Sequence, residues 1–258
     1  MLISEQLHVI MPALPTAKRE ACLPFLQDAL AEFSVDTPPR MAAFLAQLAH
    51  ESGQLRFMEE IWGPTAAQLR YEPVSTLAAR LGNTHAGDGR RFKGRGPIQI
   101  TGRANYRRYG SLLGVDLESQ PELAARAELA FRIAGLFWSR NGLNQLADEA
   151  TAEAFETITR RINGGVNGLA DREGFYAVAC TVLDVTPATP RSPTRGGKPA
   201  SPAGSPASFE RGAEAIRGQA RRRKTRRHVV AGSALGAVSF FHGANALVTP
   251  SRAGARCG

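Results

Sequence analysis

The residues with the clearest chemical potential lie in two separate segments of the chain. Residues 41–53 (MAAFLAQLAHESG) form an apolar run with helical spacing that ends in one glutamate, Glu51. Residues 92–106 (FKGRGPIQITGRANY) bring glycines and neutral amide and hydroxyl side chains close together. A carboxyl group partly set into an apolar wall favours its protonated form and can act as a general acid. Neutral donors and acceptors beside an acid suit a sugar, so the two segments predict cleavage of a glycosidic bond.

The elements that must position these residues are predicted to be helices. Thr37 is the expected N-cap of the helix that ends at Glu51, because Pro38 and Pro39 suit a first turn. Residues 82–96 contain five glycines and predict a loop, and residues 98–101 are a short strand candidate. Apolar periodicity and turn residues favour helices over residues 16–33, 38–51, 64–81, 102–113, 121–138, 152–162 and 170–183.

Charge divides the chain into two parts. Its 258 residues carry a net charge of +9 and are 43% hydrophobic, which is ample for one buried core. Residues 187–258 hold 13 Lys and Arg against 2 Asp and Glu, whereas residues 1–186 hold 19 against 21. The basic character therefore belongs to the tail, and it gives no argument that the first part grips an anionic polymer by charge.

Composition predicts three regions. Residues 1–185 form the candidate catalytic domain, residues 186–220 a Pro/Ser/Gly-rich linker, and residues 221–258 a basic and weakly apolar tail. We expect the low-complexity tail to be disordered, and its basic run to bind nucleic acid only non-specifically. Within it, residues 221–248 join that run to an apolar stretch that is just long enough to span a bilayer but is interrupted by glycines and polar residues. A membrane contact through this stretch is the alternative.

Three motifs in the first region resemble those of a known family. They are His50-Glu51-Ser52-Gly53, Gly94-Arg95-Gly96-Pro97-Ile98-Gln99-Ile100-Thr101 and Ile162-Asn163-Gly164-Gly165. In this order they look like the signatures of glycoside hydrolase family 19, which contains the class I-type chitinases and related phage or bacterial endolysins. The resemblance covers residues 1–185, and the short N-terminal lead is more similar to the compact endolysins. It implies a mainly α-helical, lysozyme-like domain with two lobes and a cleft.

The resemblance also implies a pair of catalytic carboxyl groups. Glu51 matches the general acid, and Glu60 falls where compact relatives carry the second carboxylate, which activates a water on the opposite face of the sugar. Glu59, which is adjacent to it, is a second candidate. Glu72 is a third, less favoured candidate, which is considered because plant relatives place this group further along the chain. The choice among these three stays open at this point. The resembled enzymes invert the anomeric centre, for which carboxyl groups about 6.5–9.5 Å apart are typical.

Further residues are assigned to substrate binding by the same resemblance. Thr101 matches a Ser or Thr that helps to hold the water. Gln99 and Asn105 match residues that hydrogen-bond N-acetyl and hydroxyl groups, and Asn163 matches the asparagine of the third motif. Tyr106 is expected either to stack on a sugar face or to pack in the core.

Charged residues beside the motifs are expected to shape the site. Arg95 and Arg172 are predicted to orient a carboxylate or to hold the motif loops, with direct binding of substrate as the alternative. His50 is predicted to be a hydrogen-bonding neighbour of Glu51. His85 and Asp88 lack a third ligand at useful spacing, so we predict no metal and no cofactor.

Two other residue types have simpler interpretations. The three cysteines do not form a disulfide or zinc pattern, and Cys22 and Cys180 are expected to be buried thiols. Trp138 is predicted to lie in the core or the cleft wall rather than to stack on a sugar, while for Trp62 this choice stays undecided.

Together these observations predict an inverting glycosidase that cleaves β-1,4 bonds at N-acetylhexosamine units. We expect its polysaccharide substrate to be peptidoglycan rather than chitin, because the domain is compact and lacks disulfides and a secretory signal. Bacterial cell-wall lysis would follow, by a monomer made in the cytoplasm and acting at the wall after release. The alternatives are a true chitinase, a non-catalytic glycan-binding derivative and an enzyme tethered to the membrane by its tail.

Overall fold

The computed structural model describes residues 1–186 and residue 188, and this part of the chain is almost entirely helical. Its β pairing consists of isolated bridges that join Arg95 to Glu59 and to Ile100. The α-helices are α1 (Ser4–Ile10), α2 (Thr16–Glu32), α3 (Pro38–Glu51), α4 (Ala66–Leu69), α5 (Thr76–Leu81), α6 (Asp88–Arg91), α7 (Arg103–Leu113), α8 (Ala127–Arg140), α9 (Leu143–Asp148), α10 (Ala152–Asn163) and α11 (Leu169–Val182). The prediction of a mainly α-helical domain is confirmed.

Helix α3 is the centre of the larger group of helices. Every residue from Met41 to Ala49 is buried, so the helix is covered on all sides rather than along one stripe. Its most extensive packing is against α11, and it also contacts α1 and α9. Helices α2 and α8 pack on each other and complete this group. Because α3 is buried for most of its length, its last turn is fixed by the core, and Glu51 is where the helix emerges from it.

Helices α4 to α7 form a smaller group. Helix α4 packs on α6, and α5 packs on α7. A separate apolar cluster of Tyr71, Leu77 and Leu81, with Trp62 against it, lies in this group. The fold therefore has two unequal lobes, and the second motif lies in the chain that leads to α7.

Two predicted long helices are shorter in the structure. The helix predicted over residues 64–81 is broken into α4 and α5, because Pro73 and Val74 lie between them and Val74 has a φ of 78°. Ser75 then caps the new helix by accepting a hydrogen bond from Ala78 N. The helix predicted over 121–138 begins as a 3-10 helix (Pro121–Ala125) that ends at the extended residue Arg126.

Three short helices and a cap also depart from the predictions. Helices α1, α6 and α9 were not expected, because segments of four to seven residues show little periodicity. Thr37 occupies the N-cap position of α3, but its side chain makes no capping hydrogen bond and its buried Oγ1 has no partner. Pro39 removes one of the two N–H groups that such a side chain would reach. The strand predicted over residues 98–101 is reduced to a single bridge.

The two cysteines in this part of the chain are free and buried, as predicted. Burial raises the pKa of both thiols, of Cys22 and of Cys180, which keeps them protonated and unreactive. Trp138 lies in the core, where its ring is nearly perpendicular to that of Phe44 and the two ring centroids are 5.2 Å apart. Trp62 is half-buried and packs against Tyr71.

The predictions for the tail lie outside the described residues, apart from residues 186 and 188. Within the part of the chain that is described, no helix has the length and apolar character needed to cross a membrane.

Candidate active site

Glu51 is held from inside the core by a buried arginine. Arg172, on α11, is 2% exposed and donates from Nη2 to Glu51 Oε1 at 2.5 Å. Its Nη1 donates to Gln47 Oε1 at 2.5 Å, and Gln47 in turn donates to Thr159 Oγ1 at 2.8 Å. These buried groups link α3, α10 and α11, so the carboxylate at the end of α3 is fixed by three helices. Arg172 orients a carboxylate, which is the structural role expected for it.

The third motif is tied to the same arginine. Asn163 is the last residue of α10, and Gly164 caps the helix in the left-handed conformation with a φ of 74°. The Asn163 side chain donates to Asn167 O at 3.3 Å, and Arg172 Nε donates to the same carbonyl at 3.3 Å. Asn163 is half-buried, so it lies at the rim of the site and is linked to Glu51 through Arg172.

His50 lies beside Glu51 and is held by α11. Its Nδ1 is 2.6 Å from Asp171 Oδ2. Gly168 has a φ of 68° and packs so closely on the imidazole that a Cβ there would lie 2.2 Å from a ring carbon. The close approach requires glycine at this position. These contacts join His50, at the end of α3, to α11 and to the residue before it.

Glu60 lies on an extended segment that pairs with the second motif. Its backbone N donates to Gly94 O at 2.8 Å, and Gly96 N donates to Met58 O at 2.9 Å. The carboxylate itself accepts two hydrogen bonds. Gly94 N donates to Oε2 at 2.9 Å, and Gln68 Nε2 donates to Oε1 at 2.9 Å. Both oxygens of Glu60 are therefore positioned by neutral donors.

A tight turn joins the two carboxylates along the chain. Gly53, Gln54 and Leu55 all have positive φ values of 57° to 62°. Such a conformation is unfavourable for the two residues that are not glycine, and it persists only where neighbours impose it. Here Leu55 is fully buried, its N–H donates to Ser52 Oγ at 2.7 Å, and the Gln54 side chain accepts from Ala13 N at 2.7 Å. The turn sets the path from the acid helix to Glu60.

Glu59 points to a different set of partners. It forms ion pairs with Arg95 at 2.9 Å and with Lys93 at 3.3 Å, and its side chain is 43% exposed. Burial pushes the pKa of Glu59 upward, but the charges of Arg95 and Lys93 outweigh it and lower the pKa overall. Glu59 is thus a partner in an ion-pair cluster, with both cations supplied by the second motif and its flank.

Arg95 and Tyr106 are buried beneath the loop of the second motif. Arg95 is 6% exposed and donates from Nη1 to Arg91 O at 2.8 Å and to Tyr106 Oη at 2.9 Å. Tyr106 has no exposed surface, packs on Phe92 at 5.3 Å and donates to Lys93 O at 2.6 Å. The sugar-stacking role considered for Tyr106 is therefore corrected: it is a core residue that holds the motif loop.

The remaining residues of the second motif differ in exposure. Gln99 is 7% exposed, has a φ of 53°, and donates from its amide to Gly96 O at 2.8 Å. Its buried Oε1 has no hydrogen-bond partner among the described residues. The amide donation to Gly96 O holds the motif together, and direct contact of Gln99 with a sugar stays a prediction. Thr101 and Asn105 are half-buried; Thr101 Oγ1 donates to Gln99 O, and Asn105 donates to Thr101 O.

Glu72 and Asp88 have structural partners in the smaller lobe. Glu72 accepts from Gly87 N at 2.8 Å. Asp88 accepts from Arg103 and from the backbone N–H groups of Thr84 and His85. Burial alone would raise the pKa of Asp88, but these donors lower it to about 2. No group of three His, Cys, Asp or Glu residues suited to a metal is found among the described residues.

Two buried amides that hold the carboxylates were missed by the sequence interpretation. Gln47 lies one turn before Glu51 and is the polar residue in a run of apolar ones, which was a usable signal. Gln68 lies within the helix predicted over residues 64–81, but nothing in the sequence relates it to Glu60.

Comparisons with known proteins relate the chain to one family. The family model described as Chitinase class I matches residues 34–190. An endochitinase of Arabidopsis thaliana is 38% identical over 157 residues, which are 58% of this chain and 50% of that protein. A glycosyl hydrolase family 19 domain-containing protein of Haemophilus influenzae is 36% identical over 161 residues, which are 53% of this chain and 76% of that protein. The chain thus spans about half the length of the plant relative.

Solved structures show the same fold. A bacterial family 19 chitinase superposes with a TM-score of 0.57 at 21% identity, over 72% of this chain and 97% of that one. Chitinase C of Streptomyces griseus superposes with a TM-score of 0.55 at 23% identity, over 72% and 94%. The family match spans both carboxylates and all three motifs, and the helical architecture is shared. The chain belongs to glycoside hydrolase family 19, the class I chitinases.

Proposed function

We propose that this protein is a glycoside hydrolase that cleaves β-1,4 bonds at N-acetylhexosamine units. The observation that supports this best is the different support of the two carboxylates. Glu51 is held by a buried guanidinium, and Glu60 by two neutral donors at the other end of a rigid turn. A pair of carboxyl groups, each held in place, is what acid–base cleavage of a glycoside requires.

In the proposed mechanism Glu51 is the general acid and Glu60 the general base. Glu51 gives its proton to the oxygen of the leaving sugar as the glycosidic bond breaks. Glu60 takes a proton from a water whose oxygen bonds to the anomeric carbon from the opposite face. The product therefore has the inverted configuration. Thr101 is the residue that we expect to help hold this water, with Asn105 and Asn163 binding the sugar.

Glu60 is preferred to its two rivals for a physical reason. Glu59 is neutralised by Arg95 and Lys93, and its lowered pKa makes it a weaker proton acceptor. Glu72 is bound to the backbone of the loop before α6. Within the described residues, Glu60 accepts its hydrogen bonds from neutral groups, so no cation there cancels its charge by direct contact.

We propose bacterial peptidoglycan as the natural substrate, with cell-wall lysis as the role. Support comes from the short link between Glu51 and Glu60, which resembles the compact endolysins, and from the Haemophilus influenzae relative. Chitin is the second candidate, because the plant relatives are endochitinases. Both polymers contain N-acetylglucosamine, so the motifs serve either one.

A product analysis separates these substrates. The full chain is incubated with purified peptidoglycan and, separately, with chitin oligomers, and products are identified by mass spectrometry, with Glu51→Gln as the control. Muropeptides with a new reducing end that Glu51→Gln does not release support the peptidoglycan proposal. Efficient cleavage of chitin with intact peptidoglycan makes the protein a chitinase.

A third outcome addresses the non-catalytic alternative. Binding to either polymer without any cleavage, by a correctly folded protein, would make the chain a glycan-binding derivative. Cleavage by Glu51→Gln at the parent rate would refute the assignment of the acid. The configuration of the first product, followed by NMR, tests inversion directly.

A further inference from the structure

We propose that Gln68 is the positioning residue of the second carboxylate: its amide holds Glu60 in place and keeps it ready to accept a proton. The proposal extends the assignment of Glu60 as general base made above and rests on it. Gln68 belongs to none of the three motifs and lies on α4, in the smaller lobe.

The Gln68 side chain is 4% exposed and uses its full hydrogen-bonding capacity. Its Nε2 donates to Glu60 Oε1 at 2.9 Å and to Ile61 O at 2.8 Å. Its Oε1 accepts from Thr65 N at 2.8 Å and from Gly63 N at 3.2 Å. One buried amide therefore joins the Glu60 carboxylate to the backbone of Ile61, Gly63 and Thr65.

These partners also determine which way the amide points. Two backbone N–H groups face Oε1, and an NH₂ group in that place would oppose two donors. The NH₂ group must therefore face the carboxylate of Glu60. Glutamine satisfies this arrangement, whereas a glutamate at the same position would place a second carboxylate against Glu60.

The contact acts together with the second motif. Gln68 holds Oε1 of Glu60 from one side, and Gly94 N holds Oε2 from the other. Two donors on the two oxygens fix the orientation of the Glu60 carboxylate, which a general base needs before it reacts. Tyr71 lies nearby. Burial raises the pKa of Tyr71 most, the charge of Glu60 raises it further, and the phenol stays neutral.

The test compares two variants of Gln68 in the full chain. Gln68→Met keeps the length of the side chain but removes its donors, and Gln68→Glu replaces a donor by a like charge. We expect Gln68→Met to lower kcat about tenfold or more with little change in KM, because a misplaced base affects the reaction step and not sugar binding. Its pH–rate profile is recorded beside that of the parent. Gln68→Glu should lose more activity than Gln68→Met at neutral pH.

The matched control is Thr65→Val. It removes the N-cap contact from Thr65 Oγ1 to Gln68 N, at 3.2 Å, but leaves the Gln68 amide and Glu60 intact. We expect a lower thermal midpoint and a kcat within about twofold of the parent, as for loss of an exposed cap. An unchanged kcat in Gln68→Met, or a loss in Thr65→Val of the same size and with the same pH profile, would overturn the proposal.

A crystal structure of Gln68→Met separates this proposal from the proposed function. We expect the Glu60 carboxylate to leave Gly94 N or to occupy several rotamers. If the parent protein cleaves no glycan but Glu60 moves in this variant, the functional assignment fails while the positioning role stands. If Glu60 stays in place, the positioning role fails whatever the activity.

Discussion

The two carboxylates of this protein are held in opposite ways. Glu51 is the last residue of a helix buried on all sides, and its partner Arg172 is buried among α3, α10 and α11. Glu60 lies on a loop, and its partners are a backbone N–H and a single amide from α4. Glu51, the proposed acid, is therefore positioned by the core of the larger lobe, and Glu60, the proposed base, by hydrogen bonds at the edge of the smaller one.

This difference has a consequence for mutation. Substitutions among the residues that hold Glu51 remove packing and buried polar contacts, so stability and activity should fall together. Substitutions among the residues that hold Glu60 remove hydrogen bonds on a loop, so activity should fall with a smaller loss of stability. The proposed inverting mechanism needs room for a water beside the base, and a carboxylate on a loop would suit this requirement.

The largest expected effect is on activity, at the pair Glu59 and Glu60. Glu60→Gln should lower kcat by about 10²–10⁴-fold, the usual contribution of a general base. Glu59→Gln should lower it far less, because Glu59 is already neutralised by Arg95 and Lys93. Steady-state kinetics of both variants on the same substrate measure the difference. Equal losses would mean that the ion-pair cluster, and not Glu60 alone, carries the second function.

The largest expected effect on stability is at Arg172. Arg172→Met leaves Gln47 and Glu51 without their buried partner and should lower the free energy of unfolding by about 3 kcal/mol. Urea denaturation of the variant and of Gln68→Met gives the comparison. If Gln68→Met is destabilised as strongly as Arg172→Met, the contrast between a core-held acid and a loop-held base is wrong.

The smaller lobe should show its dependence on ion pairs at low pH. The pKa of Asp88 is about 2 in the folded protein against an ordinary 3.8, and Arg103 is its main charged partner. Because the folded pKa is depressed, this contribution of about 2 kcal/mol is present above pH 3.8 and is lost as the pH falls towards 2. Asp88→Asn should be less stable at pH 7 and should converge on the parent at low pH. A constant difference between the two at every pH would contradict it.

The smallest expected effect is at the start of the acid helix. Thr37 Oγ1 is buried without a partner, so Thr37→Val exchanges an unpaired hydroxyl for a methyl group of similar size. The free energy of unfolding should stay within about 0.5 kcal/mol of the parent or rise. A loss above about 1 kcal/mol, as for a working N-cap, would show that α3 depends on its cap and not on burial.

The sequence predicted those parts of the protein that local patterns determine. Helices α3, α7 and α10 have apolar periodicity over several turns, and their bounds, like those of α2 and α11, were found within a few residues. The family motifs are local as well, so the order of residues alone is enough to locate Glu51, Gln99 and Asn163. Periodicity failed between residues 64 and 81, where Pro73 and the positive φ of Val74 break the helix.

Only the tertiary structure decided what surrounds each carboxylate. Arg172 reaches Glu51 across 121 residues, and Gly94 reaches Glu60 across 34, so neither contact has a local signature. Glu59 and Glu60 are neighbours in the chain, and residue type does not distinguish them. Their difference arises because successive residues of an extended segment point in opposite directions, one towards Arg95 and one towards Gln68. The sequence determined that two carboxyl groups are present, and the packing of the loops determined which of them is free of a cation.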